Sequence, residues 1–524
     1  MLWASSLDDA PAKKKRSVKK KKSDKSNEVP VMQPVFRYQQ YSKHLSCLQI
    51  STGTHAYISG FCRITLLRGA ARIGFHNLTV GVAVSINAPV WLPAWLLESM
   101  ASTDDLSDTF EDNIRLATNG LDDKLDQHII SLHKASLGAG CIVMIQGVEA
   151  SMQEWIIRAE DQTPFINATL LQSSQITHVR LSDEEFCVKV ESGAIGDMRG
   201  LQRLGIDVMS LHVTWRNAID SVSTSLGNST IRKQSRILLC GAKGAGKSTC
   251  MKNLLNSLLS VAPAVCVLDC DAGQPEFGIP GQISLSIIDT PCLSPAHLNI
   301  QQAELCYYSG ELSSKNNPEY LLEAVKLLVA RYDELLLELQ KAIDEEQQRK
   351  VDAALAVAKA AAIRKVSNRF DVLADDDDDN DDNNDNDNGG GRKEKRKRSK
   401  MSKIASKPLP TPAEIVQNAH FASRLPLIIN TDGFIRFLGS EILQEIVNIV
   451  KPTDVFQMST AKDREMPAIE PLRSSDSGVN VHILEAGRLT PSKVTAVDLR
   501  TLRLVGWLVG WLVGWLVGWF DIDS

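Results

Sequence analysis

The stretch Arg236–Leu285, RILLCGAKGAGKSTCMKNLLNSLLSVAPAVCVLDCDAGQPEFGIPGQISL, decides the fold. Its apolar run Ile237–Cys240 has the length of a buried parallel strand. Gly241, Ala242, Lys243, Gly244, Ala245, Gly246, Lys247 and Ser248 follow directly and spell an intact G-x-x-x-x-G-K-S phosphate loop. Met251, Leu254, Leu255, Leu258 and Leu259 then recur at helical spacing, so strand, loop and helix stand in the order the motif requires. The glycines let consecutive backbone N–H groups turn toward phosphate oxygens, and the helix N-terminus adds its positive dipole end. Lys247 can reach the β- and γ-phosphates, and the Ser248 hydroxyl can ligate Mg²⁺. Thr249 closes the phosphate-binding stretch and belongs to the packing of the first helical turn. The sequence predicts a site for ATP.

A second apolar run, Ala264–Leu268, ends in Asp269 and Asp271. Carboxylates at the C-terminal end of a strand beside a phosphate loop lie where open α/β sheets place ligands. One can serve the metal shell, and the other can take a proton from an attacking hydroxyl. We assign Asp269 to the metal and Asp271 to the base; spacing alone would allow the reverse.

Asp269-Cys-Asp271-Ala-Gly273-Gln274-Pro-Glu-Phe277, followed by Ile279-Pro280-Gly281-Gln-Ile-Ser-Leu285, resembles the polynucleotide 5′-hydroxyl kinases. The Pro-Glu-Phe continuation is similar to the nucleolar, pre-ribosomal-RNA-processing branch. The sister branch, a subunit of the mRNA cleavage factor, continues differently. A second stretch of the resemblance is Asn430-Thr431-Asp-Gly433-Phe434, where relatives usually carry Trp in the aromatic place. The resemblance implies that Phe434 stacks on the nucleic-acid end, with Gln274 also at the RNA. Phe434 keeps a π-face but offers less area and no indole N–H. Asp498-Leu-Arg500-Thr-Leu-Arg503 resembles the family's arginine-bearing lid. Arg500 and Arg503, three residues apart on one helix face, would then neutralise charge on the transferring phosphoryl group; the alternative is a pair of ordinary solvent-facing arginines.

The chain has 524 residues, enough for two or three domains, and 43% hydrophobic content supports real cores. Its net charge of −5 hides strong segregation. Residues 1–31 carry Lys13–Arg16 and Lys19–Lys22, the pattern of a nuclear import signal, a nucleic-acid-binding arm or a solvated disordered tail. Ten cysteines form no C-x-x-C pair and no zinc-like spacing with histidine, which suits a reducing compartment. No signal-peptide apolar region opens the chain.

Residues 32–210 break into short apolar segments separated by Gly, Asn, Asp and Ser, the pattern of a β-rich, sandwich-like domain. Within them 102–127 reads as an acidic surface insertion. The α/β P-loop core, a parallel sheet flanked by helices, is expected over 211–331 and again over 421–503. Between its parts, 332–420 opens as a long helical pattern, then turns into the Asp/Asn block 375–388 and the basic block 392–400, a disordered insertion. In 504–524, Leu-Val-Gly-Trp recurs in tandem. That apolar run falls just short of the roughly 20 residues a membrane-spanning helix needs. Perfect tetrapeptide repetition is the mark of a short nucleotide repeat or a mispredicted gene end. The family resemblance would place a further domain here.

The resemblance implies an ATP- and Mg²⁺-dependent kinase that phosphorylates 5′-OH RNA ends in the nucleus or nucleolus. It would act in removal of a pre-ribosomal spacer beside an endonuclease partner, with no membrane role. Alternatives are the mRNA- and tRNA-processing sister kinase, or a non-catalytic scaffold that binds ATP. Nothing in the sequence reads a 2′-hydroxyl, so DNA ends stay open.

Overall fold

A computed structural model of the chain describes residues 36–40, 45–89, 92–101, 140–147, 187–190, 193–196, 198–203, 206–209, 211–228, 234–374, 424–459, 478–486 and 495–520. The basic tail, the acidic insertion at 102–127 and the Asp/Asn and basic blocks between 375 and 400 lie outside these residues.

The N-terminal part is β-rich, as its turn-punctuated sequence predicts. Its strands are β1 (Phe36–Gln40), β2 (Leu45–Ile50), β3 (His55–Arg68), β4 (Ala70–Ile73), β5 (His76–Asn77), β6 (Ala83–Ala88), β7 (Trp95–Met100), β8 (Cys141–Gly147), β9 (Cys187–Val190) and β10 (Gly193–Gly196). Strand β3 is the spine. Its first half pairs antiparallel with β7 and β10, and its second half with β6 and β8. A 14-residue strand can serve two sheet regions at once, and the core of Leu48, Ile58, Ile64, Ile86, Leu97 and Val143 fills the space they enclose.

After the short helix α1 (Met198–Arg203), helix α2 (Val213–Asn228) leads into β11 (Arg236–Gly241), and α3 (Lys247–Leu258) follows the phosphate loop. Then come β12 (Val265–Asp269), β13 (Gln282–Ile288), β14 (Leu305–Tyr308), α4 (Pro318–Ala374), β15 (Leu427–Asn430), α5 (Leu438–Val450), β16 (Asp454–Ser459), β17 (Asn480–Glu485) and α6 (Ala496–Phe520). The seven-stranded sheet runs β14-β13-β12-β15-β11-β16-β17. Five strands are parallel, but β13 and β14 are antiparallel to their neighbours. The expected parallel sheet is thus present, extended at one edge by two antiparallel strands. A parallel return usually needs a crossover helix, whereas the loop 270–281 contains none and carries the chain straight back along β12.

Both faces of this sheet are covered, which is why its strands read as unbroken apolar runs. Side chains alternate between faces. Leu238 and Cys240 point to the side packed by α4 and α5, while Ile237 and Leu239 point to the side packed by α2 and α3. Helix α4 buries Leu321, Val325, Leu328 and Tyr332. Past Ile343 its described side chains are almost all exposed, so it leaves the body of the molecule there. Helix α6 runs on through the Leu-Val-Gly-Trp repeats, and Leu504, Trp507 and Leu508 are exposed on it. Among the described residues no helix is long and apolar enough to cross a membrane.

Strand β15, which follows the insertion, sits between β11 and β12. The C-terminal ends of these three strands, Gly241, Asp269 and Asn430, thus meet at one rim.

Candidate active site

Gly244 and Gly246 hold the phosphate loop open with φ of +77° and +98°, conformations that cost other L-residues energy. Gly246 caps α3, so the first-turn N–H groups of the helix, with Ser248 and Thr249, face the loop. Lys247 is buried; its Nζ donates to the carbonyls of Gly241 (2.9 Å) and Ala242 (3.2 Å) of its own loop. Burial lowers the lysine's proton affinity, and the charges of Asp271 and Asp432 oppose that.

Asp269, at the end of β12, is 1% exposed. Its Oδ1 accepts from the Asp271 N–H (3.1 Å) and Asn430 Nδ2 (3.0 Å), and its Oδ2 from the Glu276 N–H (2.7 Å). Burial, with the Asp271 charge, pushes its carboxyl up to about 7. With both oxygens engaged from inside the protein, Asp269 pins the loop 270–277 to the sheet and to β15. Asp271 is half-buried, and its Oδ1 accepts from the Gln274 N–H at 3.0 Å. Burial and then the Asp432 charge raise its proton affinity, while the Gln274 N–H, Lys247 and Arg503 restrain the rise. A carboxylate so placed is suited to take up a proton. Gln274 is half-buried beside it.

The segment 431–434 closes the rim from the β15 side. Thr431 Oγ1 donates to the Leu239 carbonyl (2.7 Å). Asp432 accepts from the Ser314 hydroxyl and from the Phe434 N–H (3.1 Å). Gly433 lies so close to the loop crest that a Cβ there would come within 2.6 Å of Lys243 N and Cα. Phe434 lines a small cavity with Cys270, Ile435 and Ile442 and presses on Gly439. The exposed aromatic of this turn is instead Phe437, 87% exposed with φ of +52°.

On α6 the two arginines part company. Arg500 Nε donates to the Gly273 carbonyl at 3.2 Å and its side chain is half-buried. Arg503 is 4% exposed; Nη1 donates to Leu499 of its own helix, and its Nε is buried without a hydrogen-bond partner.

The structure thus gathers Gly241–Thr249, Asp269, Asp271, Gln274 and Arg500 around one rim. The donor set fits a triphosphate: a backbone nest with Lys247 at its base. For Mg²⁺ the rim offers the Ser248 hydroxyl and the Asp271 carboxylate, and among the described residues no group of three His, Cys, Asp or Glu side chains could hold a metal alone. Such a sparse set suits a cation carried mainly by phosphates and water.

Sequence reasoning passed over Asp432, Asn430, Lys252 and Glu276. The first two lie inside the Asn-Thr-x-Gly signature, which was read only for its aromatic. The other two form an ion pair at 2.8 Å; Glu276 lies inside the Pro-Glu-Phe continuation, which was read only as a branch mark, and Lys252 has no local signal.

Residues 241–345 match the family model of the mRNA cleavage and polyadenylation factor CLP1 P-loop. The chain is 42% identical over 96 residues to the human polynucleotide 5′-hydroxyl-kinase NOL9, covering 18% of this chain and 14% of that one. It is 39% identical over 120 residues to NOL9 of Arabidopsis thaliana, covering 22% and 31%. The phosphate-loop core is related to the polynucleotide 5′-hydroxyl kinases. A third such kinase, grc3 of Aspergillus terreus, is 35% identical over 145 residues, covering 24% of this chain and 17% of its own. The chain spans less than a third of the length of these three kinases. A solved Clp1p–Pcf11p complex overlays 88% of this chain and 71% of its own at 10% identity, with a TM-score of 0.41.

Proposed function

We propose that this chain is an ATP-dependent polynucleotide 5′-hydroxyl kinase acting on RNA ends. The observation that carries the reading is the apposition, at one sheet rim, of a G-x-x-x-x-G-K-S loop and the Asp-x-Gly-Gln carboxylate Asp271, whose charge reaches Lys247. Polynucleotide kinases share this core sequence at 35–42% identity.

In this reading the N–H groups of Gly241–Thr249 bind the β- and γ-phosphates, and Lys247 moves from its loop carbonyls onto them. Ser248 and, through water, Asp271 would hold Mg²⁺, which would supply charge neutralisation at those phosphates. Asp271 accepts the proton of the 5′-hydroxyl as its oxygen bonds to the γ-phosphorus; the bond from that phosphorus to the β-bridging oxygen breaks, and ADP leaves. Phosphoryl transfer asks for positioning and charge stabilisation, and Arg500, held over Gly273, supplies the positive charge. Asp269 serves this arrangement by fixing the loop, a role its three accepted hydrogen bonds favour over the metal ligation expected from sequence. Gln274, half-buried beside Asp271, is the residue left to meet the RNA end, whereas Phe434, packed against Cys270, Ile435 and Ile442, is not placed to stack on it as the resemblance implies. Spacer removal from pre-ribosomal RNA, an endonuclease partner and a nucleolar site complete the proposal; they rest on the Pro-Glu-Phe resemblance and on the relatives named NOL9.

The test is transfer of label from γ-labelled ATP to a 5′-OH oligoribonucleotide with Mg²⁺. Label should appear with the wild-type chain and fall by about a hundredfold or more in Lys247→Ala and Asp271→Asn. ATP binding with no label on RNA or on a DNA oligonucleotide would replace this reading with that of a nucleotide-binding scaffold.

A further inference from the structure

Two reversals bring a fourth strand end to the rim. Strand β13 runs antiparallel to β12 and β14 antiparallel to β13, so β14 points the same way as β12, β15 and β11. Its last residue, Tyr308, therefore stands at the same edge of the sheet as Asp269 and Asn430. Residues 309–317 carry the chain from there to α4. Both ends of this strap are tied. Ser309 donates to the Gly281 carbonyl from its N–H (2.9 Å) and from Oγ (3.1 Å), and the Gly281 N–H donates in turn to the Ala272 carbonyl (2.8 Å). Asn317 Oδ1 accepts from the Tyr320 N–H (3.2 Å) in the first turn of α4.

The middle of the strap is held twice more. The Leu312 carbonyl lies on Gly273, where a Cβ would meet its oxygen at 2.6 Å. Ser314, 7% exposed, donates its hydroxyl to Asp432 Oδ2. Asp432 Oδ1 accepts from the Phe434 N–H at 3.1 Å, so both oxygens of this carboxylate are engaged from inside the protein. In the sheet, β13 and β12 stand between β14 and β15, so no strand pairing joins the strap to the turn after β15. Leu312, Lys315, Asn316 and Asn317 are exposed, so apolar burial does not hold the strap either. A side-chain hydrogen bond spans what the sheet leaves open. The Asp432 charge is felt by Asp271 and by Lys247, which sets the bond beside the reacting groups.

We propose that Ser314 and Asp432 are a positioning pair that clamps the strap 309–317 across the rim, so that Leu312 backs the Asp271–Gln274 turn where the acceptor 5′-hydroxyl must enter. The inference deepens the kinase reading and rests on it for its catalytic consequence. Gly273, the residue that the Leu312 carbonyl touches, lies between the base and Gln274 in the chain. Its own carbonyl accepts from Arg500 Nε at 3.2 Å, so the turn is held from the strap on one side and from α6 on the other. A strap that drifts lets the base drift with it, and small misplacements of a reacting group are costly.

The experiment compares Ser314→Ala, Asp432→Ala, Asp432→Asn and the double variant Ser314→Ala/Asp432→Ala. It uses steady-state kinetics with ATP, Mg²⁺ and a 5′-OH oligoribonucleotide, and hydrogen exchange over residues 309–317. Ser314→Ala should lower kcat/KM for RNA about tenfold with KM for ATP unchanged. The double variant should be no worse than Asp432→Ala, and both alanine variants should speed exchange in the strap to a similar extent. An asparagine keeps an oxygen for the Phe434 N–H and turns an amide N–H toward the Ser314 hydroxyl, which can accept as well as donate. Asp432→Asn should therefore keep most of the activity and the wild-type exchange. An Asp432→Asn variant as poor as Asp432→Ala, with a raised Mg²⁺ requirement, would make Asp432 a charge for the metal and overturn the clamp. Additive losses, a raised KM for ATP in Ser314→Ala, or unchanged strap exchange in that variant would overturn it equally. Hydrogen exchange reads the clamp without phosphate transfer, so an inactive wild-type chain would fail the kinase reading and still leave the clamp decided.

Discussion

His297 shows how far a single residue here has been moved from its behaviour in water. It is 6% exposed, on the short turn Ala296–Leu298 under α6. Burial, then the positive charges of Arg503 and Lys252, lower its pKa from 6.5 to about 3. A base with a depressed folded pKa is neutral in the native state while the unfolded chain binds the proton below 6.5. Its contribution to stability is therefore complete above pH 6.5 and lost progressively as pH falls toward 3, at up to roughly 1.4 kcal/mol per pH unit. Native carboxylates that titrate low, such as Asp454 beside His482 and Asn480, lose stability in the same direction. The difference between wild type and His297→Gln isolates the histidine. Urea unfolding from pH 7 to pH 4 should show a wild-type decline steeper than the variant's, with the two curves converging at the acid end. Parallel curves would mean that His297 is charged or solvated in the native state.

At the scale of elements, the site depends on backbones that touch. The turn after β15 lies on the phosphate-loop crest at Gly433, where the neighbour is the backbone of Lys243 and cannot swing aside. Gly433→Ala should therefore deform the nest and weaken ATP binding about tenfold or more. Gly278→Ala is the control: its Cβ would meet the far end of the Gln282 side chain, which can move. Titration calorimetry with ATP should separate the two, and equal affinities would show that the crest tolerates displacement. This contact also marks the limit of what the sequence disclosed. The strand, loop and helix of 236–258 were legible because each signal lies within a few residues of the next. Asp269 and Asp271 were legible as a strand end, but Asp269's three donors come partly from Asn430, 161 positions away. Its anchoring role was therefore hidden behind a ligand's spacing. The antiparallel turn-back of β13 was missed for a related reason: the apolar run 283–288 fits either direction. The burial of Arg503 was equally unreadable, since helical spacing puts Arg500 and Arg503 on one face but not at the same depth.

For the whole molecule, the question is how the β-rich unit and the P-loop core are joined, and the answer is a corner that no motif announces. Phe75, at the turn between β4 and β5 with φ of +69°, is buried in the core's own apolar cluster with Trp215, Ile219 and Met251. Arg72 and Arg216 approach its ring at 5.0 and 5.6 Å, and Glu98 pairs with both arginines. Beside it Trp95 Nε1 donates to the Leu293 carbonyl at 3.1 Å, and Asn87 Nδ2 to Ser294 Oγ at 2.8 Å. At the centre is Asn256, fully buried on α3. Its Nδ2 donates to the carbonyls of Gly74 (3.1 Å) and Cys292 (3.3 Å), and its Oδ1 accepts from the Cys292 N–H (2.7 Å). One amide thereby ties the helix that starts at the phosphate loop to the β unit and to the segment that runs from Cys292 under α6. With apolar and polar contacts both crossing the join, the two parts should unfold together, giving coincident urea transitions by far-UV circular dichroism and tryptophan fluorescence. Asn256→Ala leaves buried backbone groups on both sides without partners, at about 1–3 kcal/mol each. Because those orphans sit on the join rather than inside either core, the loss should appear as separation of the two transitions, with ATP shifting only the core's. A single transition that moves as a whole would show instead that Phe75 and the arginines around it suffice to couple the two parts.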